Sequence, residues 1–188
     1  MNRPLILASK SPRRSQLLRE AGFEFSVQTF DTEEDFDPEM PPEAVAPMLA
    51  QRKARAGAHL IIDREIILAA DSTVIIDGLI LNKPEDYDDA FRMIRLLSGR
   101  QHTVVTGVCL LGKERETVFT GHTKVWFDPL TDEEIDYYLR TCQPYDKAGA
   151  YGAQEWIGHC KISRMEGSYP NVMGLPVDMV YKYLQEFA

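Results

Sequence analysis

The chain alternates short apolar runs with segments of helical hydrophobic spacing, and this alternation limits its fold more than any other feature. Leu5–Ala8 and Ile66–Ala70 are apolar runs of strand length. Tyr87–Leu97 instead repeats its apolar residues with the spacing of one helix face. Asp77-Gly78 is a hairpin signal, and Thr103–Leu111 is a long candidate strand. Because helices and strands interleave while hairpins also occur, the sequence predicts an α/β fold with a mixed sheet.

Length and composition narrow the class of protein further. The chain has 188 residues without an internal repeat or linker, so we expect one domain over residues 1–188. Its net charge of −8 disfavours nucleic acid as a partner. The 3 cysteines are widely spaced and form no CxxC pair, which fits a reducing cytoplasm. The apolar N-terminal run is too short for a signal peptide, and no stretch approaches a membrane span, so we expect a cytoplasmic protein without a membrane partner.

A cluster of hydroxyls and guanidiniums follows the first predicted strand. Ser11 suits a helix N-cap and the following proline suits the first helical position. Ser9, Arg13 and Arg14 surround that turn, where backbone N–H groups and the helix dipole favour an anion. The segment has no glycine and is therefore not a P-loop. It predicts a phosphate cradle, with an N-capped helix carrying solvated arginines as the alternative.

Asp71 follows the apolar run Ile66–Ala70, so its carboxylate is expected at the end of a strand, where α/β sheets place their ligands. There it could hold a metal ion or accept a proton from water. The alternative is an aspartate that serves a turn. Lys83, before Pro84, is a second cation expected near the same edge, with a surface lysine as its alternative.

The segment from Asp146 to Gln154 combines small residues with a cation and an amide. Its glycines would let the backbone approach a ligand, and Lys147 with Gln154 could read the edge of a base. A tight loop whose glycines serve only the turn is the alternative. The segment from Glu166 to Pro176 is interrupted by glycines and prolines. It could line a pocket, or these residues could serve only the structure of the loop.

An acidic segment precedes a predicted helix over Ala44–Ala58. Residues 31–43 contain seven carboxylates and no basic residue, and Glu34 or Glu33 could bind a metal. Lys53, in the helix, could bind phosphate or be solvated. Since no nucleophile–base pair can be recognised, the residues favour phosphate binding with a carboxylate-held metal over covalent catalysis.

Several motifs in the same order resemble the Maf family, nucleoside triphosphate pyrophosphatases once described as septum-formation inhibitors. The resemblance covers almost the whole chain. The matching segments are Ala8–Arg14, Gln51–Ala54, Ala70–Val74, Asn82–Pro84, Leu97–Gly99, Val105–Val108, Asp146–Gly152 with Gln154, and Gly167–Pro176.

The resemblance implies a fold similar to that of inosine triphosphate pyrophosphatases. We therefore expect an elongated mixed β-sheet flanked by helices, with a central cleft between two lobes. The implied reaction converts a nucleoside triphosphate to the monophosphate and pyrophosphate with a divalent metal cation such as Mg²⁺ or Mn²⁺. Its expected role is the removal of unwanted or modified nucleotides, and a homodimer is an open option for the assembly.

The resemblance also assigns roles to individual residues. Asp71 matches the proton acceptor of the family, and Asp71 with Glu34 would bind the metal. The residues that match the substrate-binding polar set are Ser9, Arg13, Arg14, Lys53, Lys83 and Gln154.

The branch that acts on dTTP and UTP is marked by Arg13, the residue after the aspartate, and Gln154. That branch usually reads Ala-Asp-Thr, whereas this chain has Ser72, which keeps the hydroxyl and loses the methyl. The alternative function is a nucleotide-binding regulator of cell division without significant turnover. A pure binder need not carry an aspartate suited to water activation, and this argues against that alternative.

Overall fold

The computed structural model describes residues 3–187. The β-strands are β1 (Leu5–Ala8), β2 (Phe25–Gln28), β3 (Ile66–Ile76), β4 (Leu79–Leu81), β5 (Gln101–Leu111), β6 (Glu116–Phe127) and β7 (Ile162–Glu166). The α-helices are α1 (Pro12–Glu20), α2 (Pro42–Ala56), α3 (Tyr87–Leu97), α4 (Asp132–Cys142), α5 (Trp156–Lys161), α6 (Tyr169–Met173) and α7 (Val177–Leu184). Within residues 3–187, no helix is long and apolar enough to cross a membrane.

The strands form one seven-stranded sheet in the order β2-β1-β3-β5-β6-β7, with β4 paired to β3 outside that path. β1 is parallel to both β2 and β3, whereas β4 and β7 are antiparallel to their partners. The sheet is therefore mixed, as the interleaved helices and hairpins predicted. Asp77 and Gly78 both have positive φ, as the predicted hairpin turn requires.

The chain divides into two compact units. The first unit comprises residues 3–71, Thr106–Gly121 and 174–187. The second unit comprises Ser72–Val105 and His122–Met173. The single domain expected over residues 1–188, the cleft and the elongated shape stay predictions, and Met1, Asn2 and Ala188 lie outside the described residues.

In the first unit, α2 packs directly against β5. A Cβ added to Gly107 would lie 2.2 Å from the backbone nitrogen of Pro47, far inside van der Waals contact. Only glycine therefore permits this approach of helix to strand. Buried alanines of α2, Ala50 and Ala54, share a core cluster with Ile67 of β3. This packing fixes the helix that carries Lys53.

The second unit has a core built on α3 and α4. The apolar face predicted for α3 is confirmed, since Ala90, Met93, Ile94 and Leu97 are all buried. The sequence Thr131-Asp132-Glu133-Glu134 has the pattern of a capping box, and the box is present at the start of α4, where the Thr131 side chain accepts from the backbone N–H of Glu134.

Two sequence expectations about strands and loops were wrong. Asp71 does not end a strand, because β3 continues through it to Ile76. The shorter strand is β1, which is paired with β3 only as far as Leu7 with Leu68 and ends at Ala8, so Asp71 lies beyond the paired part. The segment after Gln154 is also more regular than expected, since α5, β7 and α6 were not predicted. These elements have only five or six residues each, too few for a clear hydrophobic period.

Candidate active site

The turn from β1 to α1 brings Ser9 and Arg14 together. The Ser9 hydroxyl accepts hydrogen bonds from the backbone N–H of Ser11 at 3.1 Å and from Arg14 Nη1 at 3.3 Å. Ser11 occupies the N-cap position as expected, but its side chain makes no capping hydrogen bond. Arg13 lies on the same turn and is half-buried. The helix start thus combines a hydroxyl and two guanidiniums.

Arg14 is fixed and electrostatically linked to the carboxylates of the first unit. Its Nε donates to the backbone oxygen of Gly174 at 2.8 Å. Burial lowers the pKa of the Arg14 guanidinium, while the negative charge of Asp71 opposes that shift. Because an arginine side chain does not lose its proton in proteins, Arg14 keeps its charge at neutral pH. Arg14 therefore provides a permanent positive charge near Asp71.

Lys53 joins two carboxylates. Its Nζ lies 2.5 Å from Asp71 Oδ1 and 2.7 Å from Glu34 Oε1. The side chains of Lys53 and Asp71 are 18% and 15% exposed, whereas Glu34 is 49% exposed. One ammonium group from α2 thus connects β3 to the acidic segment, and Asp71 remains partly accessible. Of the two glutamates that the sequence offered, Glu34 is the one whose carboxylate lies in this cluster.

Arg52 holds the acidic segment on both sides of Glu34. Its Nη1 donates to the backbone oxygens of Glu33 and Asp35 at 2.8 and 3.0 Å, and to Asp35 Oδ1 at 2.6 Å. Sequence reasoning did not assign this residue a role. The signal that could have found it is a basic pair, Arg52-Lys53, in the helix that follows a segment with seven carboxylates.

The carboxylates suit a metal that arrives with a phosphorylated ligand. Within residues 3–187, no group of three or more histidines, cysteines and carboxylates could hold a metal ion. Mg²⁺, however, is usually bound by one or two carboxylates together with water and substrate phosphates. Asp71 and Glu34 share one cation at Lys53, and their oxygens are hard ligands of the kind that Mg²⁺ and Mn²⁺ prefer. The donor set therefore fits such a metal.

The second unit contains the remaining predicted residues. Ser72 follows Asp71 in β3 and is half-buried, and Lys83 is exposed after β4. The segment before Lys83 is attached to the 146–154 segment, since the Gly149 N–H donates to the Asn82 carbonyl at 3.1 Å. Gly149 has φ 69°, and a Cβ there would lie 2.9 Å from the Val74 side chain. The close approach that this glycine permits is thus to Val74.

Gln154 has an amide oxygen without a protein partner. Its Oε1 is buried and receives no hydrogen bond from the part of the chain that the structure describes. Gly152 makes room for the amide, because a Cβ at that position would lie 2.9 Å from Gln154 Nε2. A buried polar atom left unpaired costs about 1–3 kcal/mol, so a ligand donor is a physical reason for the arrangement.

Comparison with known proteins decides the family. The sequence profile described as "Maf-like protein" matches residues 4–187. The chain belongs to the Maf family.

Several curated relatives of this Maf protein share a name. A protein of Porphyromonas gingivalis, named dTTP/UTP pyrophosphatase, is 47% identical over 97% of this chain and 94% of its own length. Proteins of the same name from Phocaeicola vulgatus and Flavobacterium johnsoniae are 44% and 42% identical, over 97% and 96% of this chain and 95% and 93% of their own lengths.

The fold is similar to that of a solved structure. The Ham1 protein of Staphylococcus aureus superposes with a TM-score of 0.58 at 14% identity, covering 98% of this chain and all of its own. At that identity the likeness concerns the fold alone. It agrees with the mixed α/β sheet and flanking helices that the sequence predicted.

Lys147 of this Maf protein has a different environment from the one that the sequence suggested. Its Nζ contacts Asp146 at 2.7 Å and Glu155 at 2.9 Å, and its side chain is only 10% exposed. The ammonium group is therefore engaged inside the second unit. Glu155 and Tyr138, which complete this environment, were not identified from the sequence, because nothing in the spacing links α4 to the segment after it.

Proposed function

We propose that this Maf protein is a nucleoside triphosphate pyrophosphatase that hydrolyses dTTP and UTP to the monophosphate and pyrophosphate. The observation that carries the proposal is the cluster of cations and carboxylates in the first unit, where Lys53 contacts both Asp71 and Glu34. A relative named dTTP/UTP pyrophosphatase that is 47% identical over 97% of the chain supports the choice of substrates.

The polar and charged residues have different roles in triphosphate hydrolysis. Arg13, Arg14, Lys53 and Lys83 neutralise the phosphoryl oxygens, which carry the charge in the transition state. Asp71 accepts the proton of the water that attacks the α-phosphorus, and pyrophosphate leaves with its β- and γ-phosphates intact. Ser9 donates its hydroxyl proton to a phosphate oxygen, held in place by Arg14.

Asp71 and Glu34 would hold a divalent cation such as Mg²⁺ or Mn²⁺ together with substrate oxygens. When bound, the metal supplies positive charge against the phosphates and polarises the bond that breaks. Lys53 keeps both carboxylates close to one another, because each accepts a hydrogen bond from its ammonium group.

The base is recognised by Arg13, Ser72 and Gln154, the three positions that mark the dTTP and UTP branch. The Gln154 amide both donates and accepts, which complements the acceptor–donor–acceptor edge of uracil and thymine. Its unpartnered Oε1 suits the N3–H of either base. Cytosine has an amino group where uracil has O4, so one donor would face another. Ser72 in place of threonine leaves room for the thymine methyl.

A substrate panel with Mg²⁺ tests this proposal. We expect pyrophosphate as the inorganic product, and CTP used about 5- to 150-fold less efficiently than UTP or dTTP, from the cost of an unpaired polar group. Gln154→Ala should lower kcat/KM for UTP and dTTP more than for CTP. Gln101→Ala, an exposed glutamine of the same unit, is the control and should not alter the ratio.

Several results would contradict the proposal. Orthophosphate released without added pyrophosphatase would exclude cleavage between the α- and β-phosphates. Equal use of CTP, GTP and UTP would exclude base reading. Binding of UTP without turnover under any metal would instead indicate a regulator.

A further inference from the structure

We propose that the hydroxyl of Tyr138, with the Glu155–Lys147 ion pair, is a positioning device that fixes Gln154 for base recognition. The proposal rests on the proposed function of Gln154. It concerns residues 146–155, here called the amide loop, together with α4. It assigns a specificity role to three side chains that do not themselves contact substrate.

Tyr138 forms hydrogen bonds with two residues of the amide loop. It lies in α4, is fully buried and donates its phenolic proton to Glu155 Oε2. The same hydroxyl accepts a hydrogen bond from the backbone N–H of Gly152 at 3.1 Å. One hydroxyl on a rigid helix thus holds two points of the amide loop, one on each side of Gln154.

Glu155, at the end of the amide loop, forms an ion pair with Lys147 near its beginning. Its Oε1 lies 2.9 Å from Lys147 Nζ, and the two side chains are only 18% and 10% exposed. Ion pairs with so little exposure tolerate the loss of one partner poorly, because the remaining charge is left without compensation. Asp146 adds a second carboxylate to Lys147 at 2.7 Å. The beginning, middle and end of the amide loop are therefore linked.

Tyr138 acts as a donor over the whole range of working pH. Burial and then the hydrogen bond to Glu155 raise the pKa of Tyr138 well above its ordinary value. The phenol therefore stays protonated, and the orientation of the Glu155 carboxylate stays constant.

Gln154 itself contributes little to this restraint. Its backbone carbonyl lies 3.1 Å from His159 Nε2, while its side-chain Oε1 has no partner within residues 3–187. The main chain at Gln154 is thus held by its neighbours, and the amide oxygen is left for a ligand. An arrangement that only stabilised the fold would have no reason to leave that atom unpaired.

The test compares UTP with CTP in variants of the holoenzyme with Mg²⁺. Tyr138→Phe removes the hydroxyl and keeps the ring. We expect KM for UTP to rise and the UTP/CTP ratio of kcat/KM to fall about 3- to 10-fold, as expected for the loss of one or two hydrogen bonds. kcat for UTP should change less than KM, because Asp71 and three of the four cations, Arg13, Arg14 and Lys53, lie in the first unit. Glu155→Gln, which keeps the shape and removes the charge, should lower the same ratio.

A double variant that includes Gln154→Ala distinguishes a positioning role of Tyr138 from a general effect on stability. In a Gln154→Ala background, Tyr138→Phe should alter the UTP/CTP ratio by less than about two-fold, since residues that act through one another are not additive. Tyr87→Phe is the matched control, because it removes a tyrosine hydroxyl 2.5 Å from Asp136 in the same unit. It should leave the ratio unchanged.

The outcomes distinguish this proposal from the proposed function. A wild type that hydrolyses CTP as well as UTP would refute base reading, and positioning with it. A wild type that prefers UTP, with folded Tyr138→Phe and Glu155→Gln that keep this preference, would overturn positioning alone. An equal loss for both nucleotides, the same loss in the Gln154→Ala background, or failure of both variants to fold would show a structural role and would also overturn it.

Discussion

The charged cluster of the first unit and the amide loop of the second hold their functional residues in different ways. In the first unit, Lys53 binds Asp71 and Glu34 through ion pairs, and Glu34 is half exposed. At the amide loop, the buried Tyr138 of α4 forms hydrogen bonds with Glu155 and with the backbone of Gly152. Groups that bind phosphate must exchange protein partners for substrate oxygens, whereas a group that reads a base must be fixed beforehand. Under the proposed function, the exposure of Glu34 and the burial of Tyr138 agree with these two tasks.

The largest effect should come from the carboxylate at the centre of the first cluster. Asp71→Asn keeps the shape but cannot accept a proton or carry a full charge to a metal. We expect kcat for UTP to fall roughly 10²-fold or more, the scale of a positioned acid–base group. The thermal melting temperature should change little, because the asparagine oxygen can still accept from Lys53 and Glu34 still pairs with that ammonium group. Near-normal turnover in a folded Asp71→Asn variant would mean that Asp71 has only a structural role.

The next largest effect should come from pH, because burial makes His102 of the second unit resist protonation. His102 lies in β5, fully buried, with Nε2 2.7 Å from the Tyr151 hydroxyl. Burial lowers the pKa of His102 to about 3. The unfolded chain takes up this proton below about pH 6.5, whereas the folded chain does not until about pH 3. The contribution of the neutral His102 to the free energy of unfolding is therefore present above about pH 6.5 and is lost as the pH falls towards 3.

This pH effect can be measured by urea unfolding at pH 7.5 and pH 5. His102 alone should lower the free energy of unfolding by about 2 kcal/mol between these values. His102→Gln is neutral at both, so its own loss over the same interval should be smaller by that amount. His59→Gln, at a site outside the strands, is the control. Equal pH dependence in wild type and His102→Gln would mean that His102 protonates in the folded state.

The smallest effect should come from the residue that holds the acidic segment. Arg52→Ala releases the backbone on both sides of Glu34, while Asp71 and Lys53 stay in place. We expect the Mg²⁺ concentration for half-maximal activity to rise about 10-fold, the lower end of the usual effect of removing a group that orients a metal ligand. Saturating Mg²⁺ should restore most of kcat.

Arg55→Ala provides the matched control for this variant, because Arg55 lies in the same helix and pairs with Glu116. Its metal dependence should equal that of the wild type. If Arg52→Ala also leaves the metal dependence unchanged, the acidic segment does not position Glu34 for a metal.

The sequence alone determined most of the regular structure and the motifs. Helices α3 and α4 were predictable because a buried face and a capping box are local patterns. The turn after β1 was predictable because serine and proline have fixed preferences at a helix start. The candidate residues of the first unit were also recognised, since each lies in a short motif. The short elements α5, β7 and α6 were missed because their sequences are too brief for a period.

Only the tertiary structure decided which groups meet. The contacts of Lys53 with Glu34 and Asp71 join residues 19 and 18 positions apart, and those of Tyr138 with Glu155 and Gly152 join residues 17 and 14 apart. No local pattern encodes such pairs, because they depend on how a helix packs on a strand or loop. Gly107 is the clearest case, since its need for glycine comes from Pro47 on another element. Local preferences fix elements, whereas packing decides which side chains they bring together.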